Sequence, residues 1–206
     1  MPVIFFNPIS IPLPKDRIYS RLGYVKDITK ITGKNKEIYE AYISEAANLI
    51  ELKGAGLRMG IKAVDSVQTT LSKGIAFKSK SLAKFLTGCR EVLFMGATAG
   101  NRIVESIQSN SSGKDVTSSV VFDAAASETV DAALNWIMSY FNSQLLREGK
   151  YLSPNRFSAG YGDLLLDNQK VMFDILKLKE LGVSINQNYI LTPEKSVTAL
   201  AGIKEK

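Results

Sequence analysis

The 206-residue sequence contains no histidine and one cysteine. The first absence removes the Ser-His-Asp and Cys-His catalytic arrangements together with the commonest zinc ligand, so hydrolases of those kinds are excluded. The second excludes an internal disulfide. Cys89, beside Gly88 in an apolar neighbourhood, reads as a small core residue rather than a nucleophile. Long hydrophobic runs are also missing: the apolar stretches at 92–95 and 164–166 are far too short to cross a bilayer. The start of the chain has no basic leader and is soon broken by Pro8, Pro12 and Pro14, so a soluble, cytoplasmic protein without membrane association is expected.

What is present is ample material for a core, with 45% hydrophobic residues, and the length suits a single domain over 1–206. The net charge of +6 is uneven. The first 90 residues carry about twice as many basic as acidic residues, and the remainder is slightly acidic. The basic residues are scattered singly, as at Lys26, Lys30, Lys34, Lys53, Lys73 and Lys84, without the clustered arginines and interleaved aromatics of a nucleic-acid groove. They read as a solvated surface, or as a face that docks an acidic protein.

Apolar residues recur at helical spacing over 36–52 (Ile38, Tyr42, Ala46, Ile50, Leu52), with Gly54-Ala55-Gly56 expected to end that helix. The pattern becomes strand-like over 57–67, then helical over 82–86 with Gly88 as the stop, and 91–98 reads as a buried strand. A helix enters through Gly100-Asn101, and 109–114 is a polar turn. The longest helix is expected over 116–147, where Val130, Leu134, Ile137, Phe141 and Leu145 form one stripe. A loop at 153–163, a helix near 167–181 closed by Gly182, and strands near 188–192 and 196–203 complete the chain. Strands mixed with helices, without regular βαβ alternation, indicate an α+β fold.

Three constellations could carry chemistry. Gly96-Ala97-Thr98-Ala99-Gly100 lies where phosphate loops occur but matches no phosphate-binding pattern, so it is either a close-packed turn or a weak ligand loop. On the long helix Asp123, Ser127 and Asp131 are four apart and share a face, beside the small residues Ala124, Ala126 and Ala132; that face is either a solvated stripe or a receptor for a cation. Finally, Arg156-Phe157-Ser158-Ala159-Gly160-Tyr161-Gly162-Asp163 follows Ser153-Pro154-Asn155. Its glycines allow close backbone approach and its guanidinium offers a planar fork to a carboxylate or phosphate.

With Tyr189-Ile190-Leu191-Thr192-Pro193-Glu194-Lys195-Ser196-Val197 some thirty residues on, this loop resembles the reactivation domain of cobalamin-dependent methionine synthase, whose R-x-x-x-G-Y loop holds S-adenosylmethionine. The likeness is specific over about 118–203. It implies a single C-shaped domain with a curved, largely antiparallel sheet covered by helices. It implies Arg156 at the methionine carboxylate, Tyr161 near the reacting methyl group, and backbone around Ala159 and Gly160 closing on the ligand. Asp123-Ala124-Ala125-Ala126-Ser127-Glu128-Thr129-Val130-Asp131 is similar to the family's acidic helix segment, which places Asp131 where the family has a glutamate, facing the ligand's cationic portion. Ala126 replaces the usual glycine and Ala159 a common proline. The long form of the family adds a segment after the last strand that helps enclose the adenine, whereas this sequence ends at Lys206.

The implied activity is that of an accessory subunit rather than an autonomous enzyme: it would present the methyl group of S-adenosylmethionine for reductive methylation of cobalamin. Cobalamin would come only with a partner, because the family's cobalt-ligating motif needs a histidine. The implied partner is a methionine synthase lacking its own reactivation domain, with flavodoxin or ferredoxin as electron donor. A module serving another corrinoid protein, or a structural relative whose site has decayed, are the other compatible classes.

Overall fold

The computed structural model describes residues 2–25, 28–29, 32–113 and 115–206. Lys26 and Lys30, read above as surface charges, and Lys114 of the polar turn lie outside the described residues. The chain runs β1 (Ile4–Phe6), α1 (Lys15–Arg21), α2 (Lys34–Leu49), β2 (Lys53–Val64), β3 (Gln68–Leu71), β4 (Ala76–Lys78), α3 (Lys80–Phe85), β5 (Glu91–Thr98), α4 (Asn101–Ser111), α5 (Val116–Arg147), β6 (Lys150–Leu152), α6 (Asn168–Ile175), β7 (Ser184–Ile185), β8 (Leu191–Thr192) and β9 (Ser196–Glu205). Among the described residues no helix is long and apolar enough to cross a membrane.

Every strand pairing is antiparallel. The main sheet has the order β4-β3-β2-β5-β9-β6, with β1 also on β2. One edge of β2 changes partner along its length: Gly54, Ala55 and Gly56 pair with β1, and Ile61 to Val64 pair with β3 across a bulge. A long strand that hands over its partner through a bulge bends and twists. The sheet accordingly curls into a half barrel, giving the α+β architecture expected.

Alternation along the strands sends residues to two cores. On the helix side Leu93, Met95 and Ala97 of β5 and Ala199, Ala201 and Ile203 of β9 pack with Ile43 and Ala46 of α2, Ile103 and Val104 of α4, and α5. On the other side Ala55, Leu57, Met59, Val92, Phe94 and Leu200 pack with Leu82, Leu86, Leu164, Met172, Leu176 and Leu178. All five residues of the expected α5 stripe are buried. The helix begins where Asp115 accepts from the Ser118 amide at 3.1 Å, a cap that satisfies a donor with no partner within the helix, and Gly149 follows it at φ 70°.

Three expectations are corrected. Gly54-Ala55-Gly56 does not terminate a helix; α2 ends at Leu49 and these glycines lie inside β2. They are thin spots on one sheet face. A Cβ on Gly54 would stand 2.8 Å from Ile137 Cδ1, and one on Gly56 would stand 2.8 Å from Phe141 Cζ and closer still to Cε2, so their absence lets α5 rest on the sheet backbone. The 167–181 helix is broken: α6 stops at Ile175 and Lys177 adopts left-handed φ/ψ (51°, 43°) before a 3-10 turn over Leu178–Leu181. The strand near 188–192 shrinks to β8. In addition, Gly96, Ala97 and Thr98 lie in β5 and Gly100 turns at φ 83° against Glu51, so that segment is a close-packed turn.

A second feature ties the end of α5 to the sheet. Arg58 is 5% exposed and donates to Glu148 at 2.6 and 2.7 Å and to Glu91 at 3.0 to 3.2 Å, while Lys150 reaches Glu91 at 2.7 Å. A buried guanidinium requires such partners, because an unpaired one would carry its full desolvation cost. The Arg58 hydrogen bonds hold the Glu148 carboxyl at about 2, against the opposing effect of desolvation. Burial pushes the Cys89 thiol up, which keeps it protonated and inert.

Gly56→Ala should lower the unfolding free energy by about 1–3 kcal/mol, since the buried Phe141 ring must move to admit the methyl group; an unchanged urea midpoint would show that the ring yields freely. Glu148 gives a pH prediction. Its folded-state value lies below the ordinary 4.5, so its contribution is complete above that pH and is lost as pH falls toward about 2. The urea midpoint should therefore drop across that window, and Glu148→Gln, less stable at neutral pH, should drop less steeply. Parallel slopes for the two proteins would contradict the assignment.

Candidate functional site

The loop after β6 is fastened to the sheet before it forms anything. Ser153 N donates to Gly202 O at 2.8 Å, and Phe157 and Leu200 exchange two backbone hydrogen bonds of 2.8 Å. At the far end, Asp163 accepts from Ser79 Oγ at 2.6 Å and from the amides of Lys80 and Ser81 at 2.7 and 3.0 Å. These bonds hold the Asp163 carboxyl well below the usual carboxylate range, with the Ser79 hydroxyl contributing most. Gly162, at φ 57°, passes so close to Ser81 that a Cβ would stand 2.8 Å from its Oγ. Residues 153–163 therefore form a strap with both ends fixed.

Between this strap, α5, α6 and the start of β9 lies an open cavity of about 600 Å³. Asp131, Leu134 and Asn135 of α5 form one wall, and Arg156, Ser158, Ala159 and Tyr161 another. Gln169 of α6 and residues 196–199 of β9 close the remainder. Four of the five residues expected at the site thus meet around one space. Gly160 does not line it: its φ of 86° shapes the turn and its amide donates to Leu164 O at 2.8 Å. Ala159 is buried in the wall, whereas Tyr161, 67% exposed, stands on the rim.

The β9 edge adds main-chain groups. Because Leu200 turns its N–H and C=O toward Phe157, alternation along the strand turns those of Thr198 to the same side. Among the described residues no strand pairs with Thr198 on that side, so one donor and one acceptor face the cavity.

The electrostatics centre on Asp131. Its Oδ1 accepts from Arg156 Nη2 at 2.6 Å, its backbone carbonyl accepts from Arg156 Nη1 at 3.3 Å, and its Oδ2 accepts from Arg17 Nη2 at 2.5 Å. Arg17 also meets Glu128 at 2.8 Å and Arg21 meets it at 3.4 Å. Further along α5, Lys195 reaches Asp123 at 2.5 Å and Ser127 at 3.2 Å. The face carrying Asp123, Ser127 and Asp131 does receive cations, and those cations belong to the protein. Arg156 keeps N–H groups beyond the two bonded to Asp131, so it can still grip an anion from the cavity side.

Arg17, Arg21, Lys195, Asp163 and Thr198 were not singled out from sequence. Asp163 closes the quoted 156–163 segment and Lys195 lies within the quoted 189–197 segment, but neither was given a role. Among the described residues no group of three or more acidic or cysteine side chains is placed to hold a metal ion.

No protein-family model matches the chain, and no curated sequence matches it. Among solved structures, the crystal structure of the MetH reactivation domain bound to AdoHcy superposes with a TM-score of 0.70, covering 97% of this chain and 78% of that one at 10% sequence identity. With its curled antiparallel sheet and, among the described residues, six helices, the chain has the fold of the methionine synthase reactivation domain.

Proposed function

We propose that the cavity binds S-adenosylmethionine and that the protein serves as a reactivation subunit in trans, presenting the methyl group to cobalamin carried by a methionine synthase that lacks this domain. The observation that carries the reading is the convergence of Arg156, Asp131, Ala159 and Tyr161 on one cavity of about 600 Å³, in a fold whose solved example holds AdoHcy. That volume lies within the usual range for small-molecule sites. The donor set also fits. The free N–H groups of Arg156 suit a carboxylate, the Thr198 edge offers a donor and acceptor suited to a heterocycle, and Tyr161 on the rim leaves the reacting end accessible.

S-adenosylmethionine bound there supplies an activated methyl group, and cobalamin on the partner supplies the nucleophile; neither requires a general acid or base from this chain. The protein's own contribution is position and exclusion of water. Arg156 holds one end of the ligand, the strap at 153–163 fixes Arg156, and Ala159 and Leu134 supply apolar wall. Tyr189, whose carbonyl accepts from Nε2 of the lining residue Gln169 at 2.7 Å, is exposed, as are its neighbour Ile190 and Leu165 of the turn after Tyr161. They give a partner apolar surface at the mouth. Flavodoxin or ferredoxin is the proposed electron source.

Calorimetry should detect S-adenosylmethionine binding, and Arg156→Ala should weaken it about ten- to a hundredfold, the worth of a charge-assisted bidentate contact. Arg156→Lys should recover little, because an ammonium lacks the planar fork. Equal affinity of mutant and wild type would remove Arg156 from the site. A separate assay addresses the partner: with S-adenosylmethionine and a reductant, the protein should restore activity to an oxidised, truncated methionine synthase, and more slowly as salt rises if its basic surface steers the encounter. Ligand binding without reactivation would direct the search to another corrinoid protein. A salt-independent rate would remove only the steering.

A further inference from the structure

We propose that Arg17, on α1 and outside the cavity wall, is a positioning residue for Arg156 and acts through Asp131. The inference rests on reading the cavity as a carboxylate-binding site. Asp131 is held at both oxygens, Oδ1 by Arg156 at 2.6 Å and Oδ2 by Arg17 Nη2 at 2.5 Å, and the same Arg17 nitrogen also meets Glu128 Oε2 at 2.8 Å. These four side chains form one row from α1 across α5 to the strap.

Two effects make the row matter, and both have the same sign. The first is geometric. Asp131 is 37% and Arg156 21% exposed, and a single ion pair at such exposure holds its long partner weakly. A carboxylate pinned at one oxygen can pivot; pinned at both, its plane is fixed, and so is the guanidinium that shares it. Glu128, with its side chain 14% exposed, is the least exposed member and supplies the anchor. The second effect is electrostatic. Without Arg17, Asp131 alone would satisfy Arg156 and repel an incoming carboxylate. With Arg17 present, the row of two guanidiniums and two carboxylates is balanced rather than net negative, so that repulsion is removed. α1 is thereby coupled to the cavity across 114 residues of sequence, although it contributes nothing to the lining.

The test uses the full chain as wild type, Arg17→Gln, Arg17→Lys, Asp131→Asn and the Arg17→Gln/Asp131→Asn double variant. S-adenosylhomocysteine titrations are paired with NMR of the Arg156 Nε–Hε group, whose rotation reports how firmly the guanidinium is held. Arg17→Gln should weaken binding about tenfold, as expected for the loss of one charge-assisted contact, and Arg17→Lys should restore part of it. In the Asp131→Asn background the Arg17 change should be nearly silent, because the coupling runs through Asp131. A purely structural role for α1 would lower the melting temperature without this non-additivity. In the ligand-free protein, Arg156 rotation should be slow in wild type and fast in Arg17→Gln. If S-adenosylhomocysteine binds no variant and Arg156 still loosens without Arg17, the functional reading fails and the positioning role stands. An unchanged Arg156 signal, or additive effects of Arg17 and Asp131, overturns the proposal. Should Arg17→Gln fail to fold, Glu128→Gln, which releases Arg17 but also removes a negative charge, is read by Arg156 rotation alone, which should quicken; an unchanged rotation overturns the proposal.

Discussion

The acidic edge of α5 is the constraint on which the site depends. Asp123, Glu128 and Asp131 stand beside a face of the helix that is buried on the sheet, and each is matched by a cation from elsewhere: Arg17 and Arg21 from α1, Arg156 from the strap, Lys195 from the turn before β9. Taken singly, partly exposed pairs of this kind contribute little to stability. Their importance is positional. Three segments distant in sequence, α1, the strap and the turn before β9, converge on one helix edge, and the cavity opens between that edge, the strap, α6 and β9.

The edge can act as a ruler because α5 itself is fixed. Its 32 residues would extend about 48 Å. Ile137 and Phe141 settle onto Gly54 and Gly56, where the sheet has no side chains to hold the helix away, and the Arg58, Glu91, Glu148 and Lys150 cluster fastens its end to β2, β5 and β6. Translation of α5 would require moving a buried ring over the sheet backbone and breaking a desolvated ion cluster together. A helix restrained in this way presents its acids at constant positions, as a site that must hold a guanidinium requires.

The sequence made α5 legible because the stripe from Val130 to Leu145 and the stop at Glu148-Gly149-Lys150 agree, and the structure adds the Asp115 cap at its start. The glycines of β2 misled because a G-x-G pair serves equally as a helix stop and as two thin spots on one strand face; only the helix packed above decides. α6 was drawn too long because nothing about Lys177 as a residue type announces a left-handed backbone. Arg156, Ala159 and Tyr161, expected from the resemblance of their loop, and Asp131, expected from the likeness of its helix segment, line one cavity. Arg17 was invisible, since a contact between residues this distant leaves no spacing to read.

The uneven charge, noted from composition, can be reconsidered once partners are known. Arg17, Arg21 and Arg58, three of the basic residues of the first ninety, are spent on carboxylates of α5, β5 and the α5 terminus. Paired charges act beyond a Debye length as weak dipoles, so they contribute little to the field an approaching partner meets. That field must come from the remaining lysines, such as Lys73 and Lys84, which lie away from the cavity wall. On the proposed reading, long-range attraction and local grip are carried by different residues: a change at Lys73 or Lys84 would alter how often a partner arrives, while a change in the Arg17, Asp131 and Arg156 row would alter what the site holds when it does. The two can vary separately because the first depends on net charge and the second on the bearing of a single guanidinium.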